Sequence, residues 1–313
     1  MFNRRLFMEN QINTVYILGI GAVGGLYGAK LHDMDSSILK VIASGDRIAR
    51  LKQTGLNING KVYQFNYAEP GDNSQPPADL IIIAVKHAQL AQAIQAITGF
   101  IKPDTIIISL LNGISSEEQI GAAVGMEHLL YAYAIGMDAV RQGNEINFTA
   151  PGRIVFGEQH NETLTARVEA VKTLFEKAQI PHQIPVDMLR SLWTKFMMNV
   201  GVNQASAVLN ATYGVFQQSQ EARNLMQLAA DEVITLSRQA KVNLEQEDLD
   251  AYFTIINTLS PGGKTSMLQD KEAGRKTEVD IFAGTVIALG KKYNVPTPVN
   301  QTLYTIIKAM EAM

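Results

Sequence analysis

The sequence predicts an α/β domain built on a doubly wound parallel sheet, followed by an all-helical domain. Three observations support this fold class. Short apolar runs recur through the first half of the chain, a glycine-rich turn follows the first of these runs, and long segments of helical period fill the second half. A chain of 313 residues is long enough for two domains. We expect residues 1–185 to form the first domain and residues 186–313 the second.

The first domain contains five runs that we expect to form strands. They are short and apolar on both faces, which suits parallel strands covered by helices on each side. Segments of helical character, such as 26–31 and 87–97, lie between several of them. The alternation of Asn and Gly with apolar residues over 56–65 indicates a hairpin. The five runs are 15–18, 39–43, 80–85, 105–111 and 129–134.

Composition excludes several partners and chemistries. The 27 Lys and Arg against 30 Asp and Glu give no basic excess, so we expect no nucleic-acid partner. The absence of cysteine excludes disulfides and thiolate metal sites and fits a reducing, cytoplasmic setting, and we expect no bound metal. The start Asn3-Arg4-Arg5 imitates a secretory signal, but the following apolar run contains five glycines and ends at Lys30. We therefore expect neither export nor a membrane span.

A glycine string follows the first strand at the start of a helix. Its residues are Gly19-Ile20-Gly21-Ala22-Val23-Gly24, a G-x-G-x-x-G pattern. The first glycine permits a tight turn, the second lets the backbone approach a pyrophosphate, and the third lets helix and strand pack closely. In this context the string predicts a Rossmann-type dinucleotide-binding domain. The alternative is a glycine-rich turn without a ligand.

The end of the second strand bears on which dinucleotide is bound. An acidic residue there would bind the 2′-hydroxyl of NAD, but the strand ends in Ile42-Ala43-Ser44-Gly45. Ser44 can bind a phosphate and both Arg47 and Arg50 lie just beyond, whereas Asp46 favours the opposite choice. The pattern favours NADP, and the alternative is that Arg47 is an ordinary solvated charge on a helix.

Polar residues also follow the third and fourth strands. Lys86 stands directly after Ala84-Val85, and Asn112 with Gly113 follows the fourth strand. The C-terminal ends of parallel strands form the ligand-binding edge of a doubly wound sheet, so we expect Lys86 and Asn112 near the cofactor. A loop lysine and a turn asparagine are the alternatives.

The most informative helix is expected over 188–209. Lys195, Asn199 and Asn203 are spaced i, i+4, i+8 and form one polar line on a helix that is apolar on nearly all other faces. A buried lysine needs a polar partner, and burial lowers the pKa of a lysine, which favours proton donation at neutral pH. The line therefore predicts a polar ligand, with contacts to another helix as the alternative.

Two further polar residues flank the basic segment 271–276. Ser266 begins Ser-Met-Leu-Gln-Asp270 before this segment, and Glu278 follows it in Thr277-Glu278-Val-Asp280. Glu278 precedes the apolar stretch 279–289, so it either lies at the ligand site or caps a helix there. From these residues alone, the helix cap is the simpler interpretation.

In combination these residues resemble the 2-dehydropantoate 2-reductase (ketopantoate reductase) family, within the 6-phosphogluconate-dehydrogenase-like group. The resemblance extends over essentially the whole chain and rests on the glycine turn, Lys86, Asn112-Gly113, the Leu-Trp-Thr-Lys195 helix and the segments around Ser266 and Glu278. It implies a Rossmann domain followed by a helical domain. It also implies NADPH-dependent reduction of 2-dehydropantoate to pantoate, a step toward pantothenate and coenzyme A.

The resemblance implies a role for each site residue. Lys195 corresponds to the general acid that protonates the ketone oxygen as hydride arrives, and Glu278 to a glutamate near nicotinamide and substrate. Asn199, Asn203 and Ser266 correspond to substrate contacts, with Ser266 meeting the carboxylate. The positions that correspond to cofactor contacts are Lys86, Asn112 and Ala139.

Three positions depart from the family pattern. Leu111 precedes Asn112, where the family often has histidine, and Ser44 stands at the end of the second strand, where the family often has arginine. Gln204 follows Asn203, where the family commonly has proline. These departures leave open which branched 2-keto acid is reduced and whether NADP is preferred. The alternatives are another dehydrogenase on this architecture and a non-catalytic NAD(P)-sensing protein. The expected partners are a small 2-keto acid and a second copy of the chain, since the apolar helical half could supply a homodimer interface.

Overall fold

The computed structural model describes residues 11–313, so the segment Asn3-Arg4-Arg5 lies outside the described residues. The chain divides into two units. The first contains the residues up to Leu111 and Ser116–Met188, and the second contains Asn112–Ser115 and Leu189–Met313. The chain thus leaves the first unit at Met188, near residue 185 where the sequence suggests a boundary. The short segment Asn112–Ser115, which joins the second unit, has no signal in the sequence.

Strands and helices alternate through much of the first unit. Its strands are β1 (Val15–Leu18), β2 (Leu39–Ile42), β3 (Leu56–Ile58), β4 (Lys61–Tyr63), β5 (Asn66–Ala68), β6 (Leu80–Ile83), β7 (Ile106–Ser109), β8 (Leu129–Met137), β9 (Val140–Gln142), β10 (Glu145–Asn147), β11 (Pro151–Gly157) and β12 (His182–Gln183). Its helices are α1 (Ala22–Met34), α2 (Gly45–Thr54), α3 (Leu90–Ile97), α4 (Ser116–Val124) and α5 (Ala166–Lys177).

These strands form two sheets. The larger has the order β12-β11-β8-β7-β6-β1-β2-β5 and is parallel except between β8 and β11. Its part β5-β2-β1-β6-β7-β8 has the strand order of a doubly wound dinucleotide-binding sheet, with the order reversing between β1 and β6. Every residue of β1, β6 and β7 is buried, as expected for central strands covered on both faces. The predicted fold of this half is confirmed.

The smaller sheet has the order β4-β3-β10-β9. The hairpin predicted over 56–65 is confirmed as β3 and β4, which pair antiparallel across Asn59 and Gly60, both with positive φ. The hairpin of β9 and β10 has no counterpart among the predicted strands, and neither do β5, β11 and β12. Strands β5, β9, β10 and β12 have only two or three residues each, and they lack the longer alternation of Asn and Gly with apolar residues that reveals β3 and β4.

Within residues 189–313 of the second unit, helices joined by loops are present and no strand is found. Helix α6 (Met188–Leu209) has the predicted bounds, and its apolar residues pack in one core with the later helices. These helices are α7 (Tyr213–Gln218), α8 (Gln220–Gln239), α9 (Gln246–Thr258), α10 (Ser266–Glu272), α11 (Ala283–Tyr293) and α12 (Pro298–Glu311). Within the part of the chain that the structure describes, no helix is long and apolar enough to cross a membrane.

Two glycines of α1 give a matched test of the turn that precedes it. A Cβ atom at Gly24 would lie 1.9 Å from the carbonyl oxygen of Gly19, whereas at Gly28 it would meet only side-chain carbons, the nearest at 3.4 Å. We expect Gly24→Ala to lower the free energy of unfolding by at least about 2 kcal/mol, because backbone cannot yield cheaply. Gly28→Ala should leave it unchanged or raise it by about 0.5–1 kcal/mol, since alanine favours helix.

Urea unfolding monitored by far-UV circular dichroism measures both variants against the unsubstituted chain. Equal effects of the two substitutions would contradict the close packing of Gly24 against the turn.

Candidate functional site

The glycine turn between β1 and α1 is shaped by close backbone contacts on two sides. Gly19 has a φ of +96°, and a Cβ atom on it would lie 2.6 Å from the carbonyl oxygen of Ala84, directly after β6. The Cβ of a residue at position 24 would collide with the Gly19 carbonyl. A non-glycine residue therefore fits at neither position without movement of the backbone.

Gly21, unlike Gly19 and Gly24, has free space beside its backbone. A Cβ atom built on it would have no described atom within 4 Å, so the backbone is open on that side. Gly21 is also the N-cap of α1, whose first amide groups carry the partial positive charge of a helix N-terminus. Open backbone next to unpaired helix amides suits a pyrophosphate, so the turn fits the group for which the sequence predicts it.

The other cofactor candidates of the first unit lie at different strand ends. Ser44 is exposed at the N-cap of α2, two residues after the end of β2, and Arg47 is half-buried one turn later. Lys86 is exposed after β6, at the start of the turn over His87–Gln89. Ala139 follows β8 and packs, partly buried, against the core of the sheet. Ser44 and Arg47 thus share the strand end where an adenosine ribose is expected.

Sequence reasoning missed two charged residues near this strand end. Glu69 follows β5, and its carboxylate Oε1 lies 3.4 Å from where a Cβ at Gly45 would be. Arg141 comes from β9, and its Nη1 donates a hydrogen bond to the carbonyl oxygen of Ile20 in the glycine turn. Arg141 lies on β9 and Glu69 directly follows β5, two strands of only three residues each. The turn Gly143-Asn144 could have indicated the hairpin that carries Arg141, but no local signal indicates that either side chain lies at this strand end.

In the second unit, Lys195, Asn112 and Glu278 form one hydrogen-bonded chain. The ammonium Nζ of Lys195 donates to Oδ1 of Asn112 at 3.0 Å, and Nδ2 of Asn112 donates to Oε2 of Glu278 at 2.8 Å. Lys195 is 9% exposed, so its charge depends on such partners. The amide satisfies both neighbours in one orientation only, because its oxygen must face the cation and its nitrogen the carboxylate.

The backbone around this chain is specifically built. Gly113 has a φ of +93° and packs against Ile281, which fixes the loop that presents Asn112. The carbonyl oxygen of Glu278 accepts from the amides of Ile281 and Phe282 in a turn that precedes α11. Because α11 begins at Ala283 with Phe282 at its N-cap, the interpretation of Glu278 as the cap of this helix is wrong.

The rest of the polar line on α6 meets the start of α10. Nδ2 of Asn203 donates to Oδ1 of Asn199 at 3.1 Å, and Oγ of Ser266 donates to Oδ1 of Asn203 at 3.2 Å. Asn203 is buried, Asn199 is half-buried and Ser266 is exposed. The structure thus brings together three of the predicted substrate residues, with the hydroxyl group at the accessible end.

Gln204, next to Asn203 on α6, connects this helix to α12. It is fully buried, and its Nε2 donates to the carbonyl oxygen of Val200 at 2.8 Å and to Oδ1 of Asn300 at 2.9 Å. Nδ2 of Asn300 in turn donates to Oε2 of Glu232 at 2.7 Å. Three helices are therefore tied together beside the polar line, in a network that sequence spacing does not reveal.

The arrangement in the second unit can bind and protonate a small polar molecule. An ammonium group held by an amide in a largely buried setting stabilises negative charge on an oxygen and can supply a proton to it. Two amides and a hydroxyl group continue the polar surface along the same helix face and can hold other oxygen atoms of the same molecule.

Two family models match most of the chain. The one described as Ketopantoate reductase PanE/ApbA matches residues 15–161, and the one described as Ketopantoate reductase PanE/ApbA C terminal matches residues 187–311. Together they include each of the site residues described above.

Full-length relatives and solved structures are also similar to the chain. The uncharacterized oxidoreductase YkpB of Bacillus subtilis is 29% identical over 95% of this chain and 98% of its own. The 2-dehydropantoate 2-reductase of Pyrococcus horikoshii is 27% identical over 96% of this chain and 98% of its own. The ternary structure of D-mandelate dehydrogenase with NADH and anilino(oxo)acetate has a TM-score of 0.85 at 23% identity, covers 96% and 98% of the two chains, and shows the same fold.

The open side of Gly21 yields a prediction on ligand binding. Gly21→Ala should fold with nearly unchanged stability, because the added methyl group meets no protein atom. It should weaken binding of a nicotinamide dinucleotide by about tenfold or more, because the methyl group occupies the space through which the backbone approaches the pyrophosphate.

Isothermal titration calorimetry with NADPH and with NADH measures this effect, and Gly28→Ala on the same helix is the control. Unchanged affinity in Gly21→Ala for both dinucleotides would rule out this turn as the pyrophosphate site.

Proposed function

The chain belongs to the ketopantoate reductase family, and we propose that it reduces 2-dehydropantoate to pantoate with NADPH. Membership of this family makes the chain a ketopantoate-reductase-like NAD(P)-dependent oxidoreductase. The observation that carries the proposal is the hydrogen-bonded chain of Lys195, Asn112 and Glu278 in a unit that also presents a row of polar substrate candidates. The reaction consumes one hydride and one proton per ketone.

Lys195 is proposed as the general acid. The nicotinamide ring, when bound, supplies the hydride that reduces the carbonyl carbon. The ammonium group of Lys195 stabilises the negative charge that develops on the carbonyl oxygen and then donates its proton to that oxygen, so that a hydroxyl group forms. Its bond to Asn112 gives the ammonium a fixed direction.

Glu278 and Asn112 are proposed to orient this acid. Oε2 of Glu278 accepts from the Asn112 amide, which keeps the oxygen of that amide turned toward Lys195. Without the carboxylate, the amide could rotate and present its NH2 group to the cation. Glu278 also corresponds to the family position near nicotinamide and substrate. We therefore propose that it contacts these two groups as well as Asn112.

Asn199, Asn203 and Ser266 are proposed to bind the substrate. Their hydrogen bonds to one another hold the two amides and the hydroxyl group on one face. A 2-keto acid with a further hydroxyl group offers acceptors and a donor that match these side chains. Ser266, at the exposed end, is the proposed contact for the substrate carboxylate.

The proposed cofactor contacts are the glycine turn, Ser44, Arg47, Lys86, Asn112 and Ala139. NADP is proposed over NAD because a hydroxyl group and a guanidinium group lie at the start of α2, the helix that follows β2. The homodimer, the cytoplasmic setting and the place in pantothenate synthesis stay predictions from the sequence.

A second candidate is the reduction of a different branched 2-keto acid. It is favoured by Leu111 and Gln204, which replace the residues frequent in the family. Gln204 is fully buried beside Asn203 and bonded to Asn300, so this side of the polar face differs from one that carries proline. A panel of 2-keto acids, each tested with NADPH and NADH and ranked by kcat/KM, decides between the two candidates.

Removal of the acid should abolish most of the turnover. We expect Lys195→Met to lower kcat by about 10²- to 10⁴-fold, the contribution typical of a positioned general acid, while the dissociation constant of NADPH changes little. Steady-state kinetics and calorimetry measure the two effects. Lys291→Met, which removes an exposed lysine of α11, is the control. Full activity of Lys195→Met would exclude the lysine as the acid.

The orienting role of Glu278 predicts rescue by a similar residue. Glu278→Gln retains an oxygen that can accept from Asn112, whereas Glu278→Ala retains none. We expect the alanine variant to lose about tenfold more kcat than the glutamine variant, since only the glutamine variant keeps the amide oriented. A loss confined to KM, or equal losses of kcat, would contradict this role.

A further inference from the structure

Three arginine side chains gather beside the glycine turn in the first unit. Arg47 and Arg50 lie one turn apart on α2, and Arg141 comes from β9. Burial and then the charge of Arg50 lower the pKa of the Arg47 guanidinium. Burial and then the charges of Arg47 and Arg50 lower the pKa of the Arg141 guanidinium. The three positive charges are therefore close enough to repel one another.

Nearby acidic groups do not neutralise this cluster. Within residues 11–313, no ion pair involves Arg47, Arg50 or Arg141. Two acidic residues lie near the start of α2. Asp46 is in its first turn and Glu69 lies beside Gly45, and both side chains are exposed. Mutual repulsion of cations at one place costs free energy, and it is offset when an anion binds there.

Arg47 has a donor that the protein does not use. Its Nε is buried and makes no hydrogen bond to any described residue. A buried donor without an acceptor destabilises the folded protein, and such donors are uncommon unless a ligand or water supplies the acceptor. Arg47 follows the end of β2, where the adenosine ribose of a dinucleotide is expected.

Arg141 is held in place by its hairpin. Its Nη1 donates to the carbonyl oxygen of Ile20 and its Nε to that of Gly143 at 3.0 Å. Ile146 of β10 anchors the hairpin and is fully buried against α1. A Cβ atom built on Gly25 of α1 would lie only 2.3 Å from Cδ1 of Ile146. Hydrogen bonds thus hold the guanidinium group of Arg141 against the glycine turn, on a hairpin that packing against α1 keeps in place.

We propose that Arg141, together with Arg47 and Arg50, binds the 2′-phosphate of NADP(H), so that the β9–β10 hairpin contributes to the choice of cofactor. This inference deepens the proposed function and rests on its assignment of the first unit to a nicotinamide dinucleotide. A guanidinium group presents several N–H donors in a plane and is well suited to a phosphate. The three arginines supply the positive charge and the reach for a 2′-phosphate that Ser44, a short uncharged side chain near the end of β2, does not have.

Calorimetry with adenosine 2′,5′-bisphosphate and with AMP tests the proposal without turnover, because the two probes differ only in the 2′-phosphate. We expect Arg141→Met and Arg47→Met to weaken bisphosphate binding by about 10- to 100-fold each. AMP binding should change less than twofold. Arg50→Met should have a smaller effect because Arg50 is exposed and its charge is screened by salt.

Three controls separate this effect from a structural one. Arg153→Met removes an exposed arginine of β11 and should leave both affinities unchanged. Arg141→Lys keeps the charge and should recover part of the bisphosphate affinity. Glu69→Gln should not weaken bisphosphate binding, whereas a loss of AMP affinity in this variant would mean that Glu69 binds the ribose 2′-hydroxyl as in an NAD site. Melting temperatures identify any variant that fails to fold.

Each outcome bears on one hypothesis. Equal losses for the two probes in Arg141→Met would place Arg141 at the shared 5′-phosphate and overturn the inference, as would no loss at all. If the unsubstituted chain prefers the bisphosphate strongly but reduces no 2-keto acid, the inference stands and the proposed reaction fails. If it reduces 2-keto acids but binds both probes equally, the reductase stands and the 2′-phosphate site fails.

Discussion

Burial of the Lys195 ammonium group is the constraint on which the site in the second unit depends. Helix α6 packs apolar residues against the other helices on most of its faces, so a cation on it must find polar partners nearby. The loop after β7 supplies Asn112, and a turn before α11 supplies Glu278, which orients the Asn112 amide. Gly113 and the segment at Ile281 pack together to hold these two pieces of chain in place. These partners offset the desolvation of the ammonium group, and the proposed role of Lys195 as general acid rests on this arrangement.

In the first unit, the glycine turn and the nearby arginines are suited to the phosphate groups of a dinucleotide. Close backbone contacts at Gly19 and Gly24 shape a turn that leaves the backbone at Gly21 open, at the positive end of α1. A short second sheet, which includes β9 and β10, adds Arg141 to the arginines of α2. In the proposed site, the backbone amides would bind the pyrophosphate, which every nicotinamide dinucleotide carries, and the guanidinium groups would bind the 2′-phosphate, which only NADP carries.

Much of the fold could be predicted because its signals are local. The buried runs of β1, β6 and β7 have no alternation, as parallel strands covered on both faces require, and the bounds of α6 follow from its apolar period. The strands β5, β9 and β12 were not predicted, because pairs or triplets of residues carry little period unless, as for β3 and β4, a recognised turn joins two of them. The same limit hid Glu69 and Arg141, whose positions depend on those strands.

The sequence by itself determined the glycine turn and the polar line on α6, since both are spacings within one element and helix geometry converts spacing directly into position. It also determined the residue types that make up the site. Only the tertiary structure decided which of them meet. Asn112 lies 83 residues from Lys195 and 166 from Glu278, and it was expected near the cofactor from its place after a strand. Contacts between such distant segments depend on how whole elements pack, and no local pattern encodes that packing.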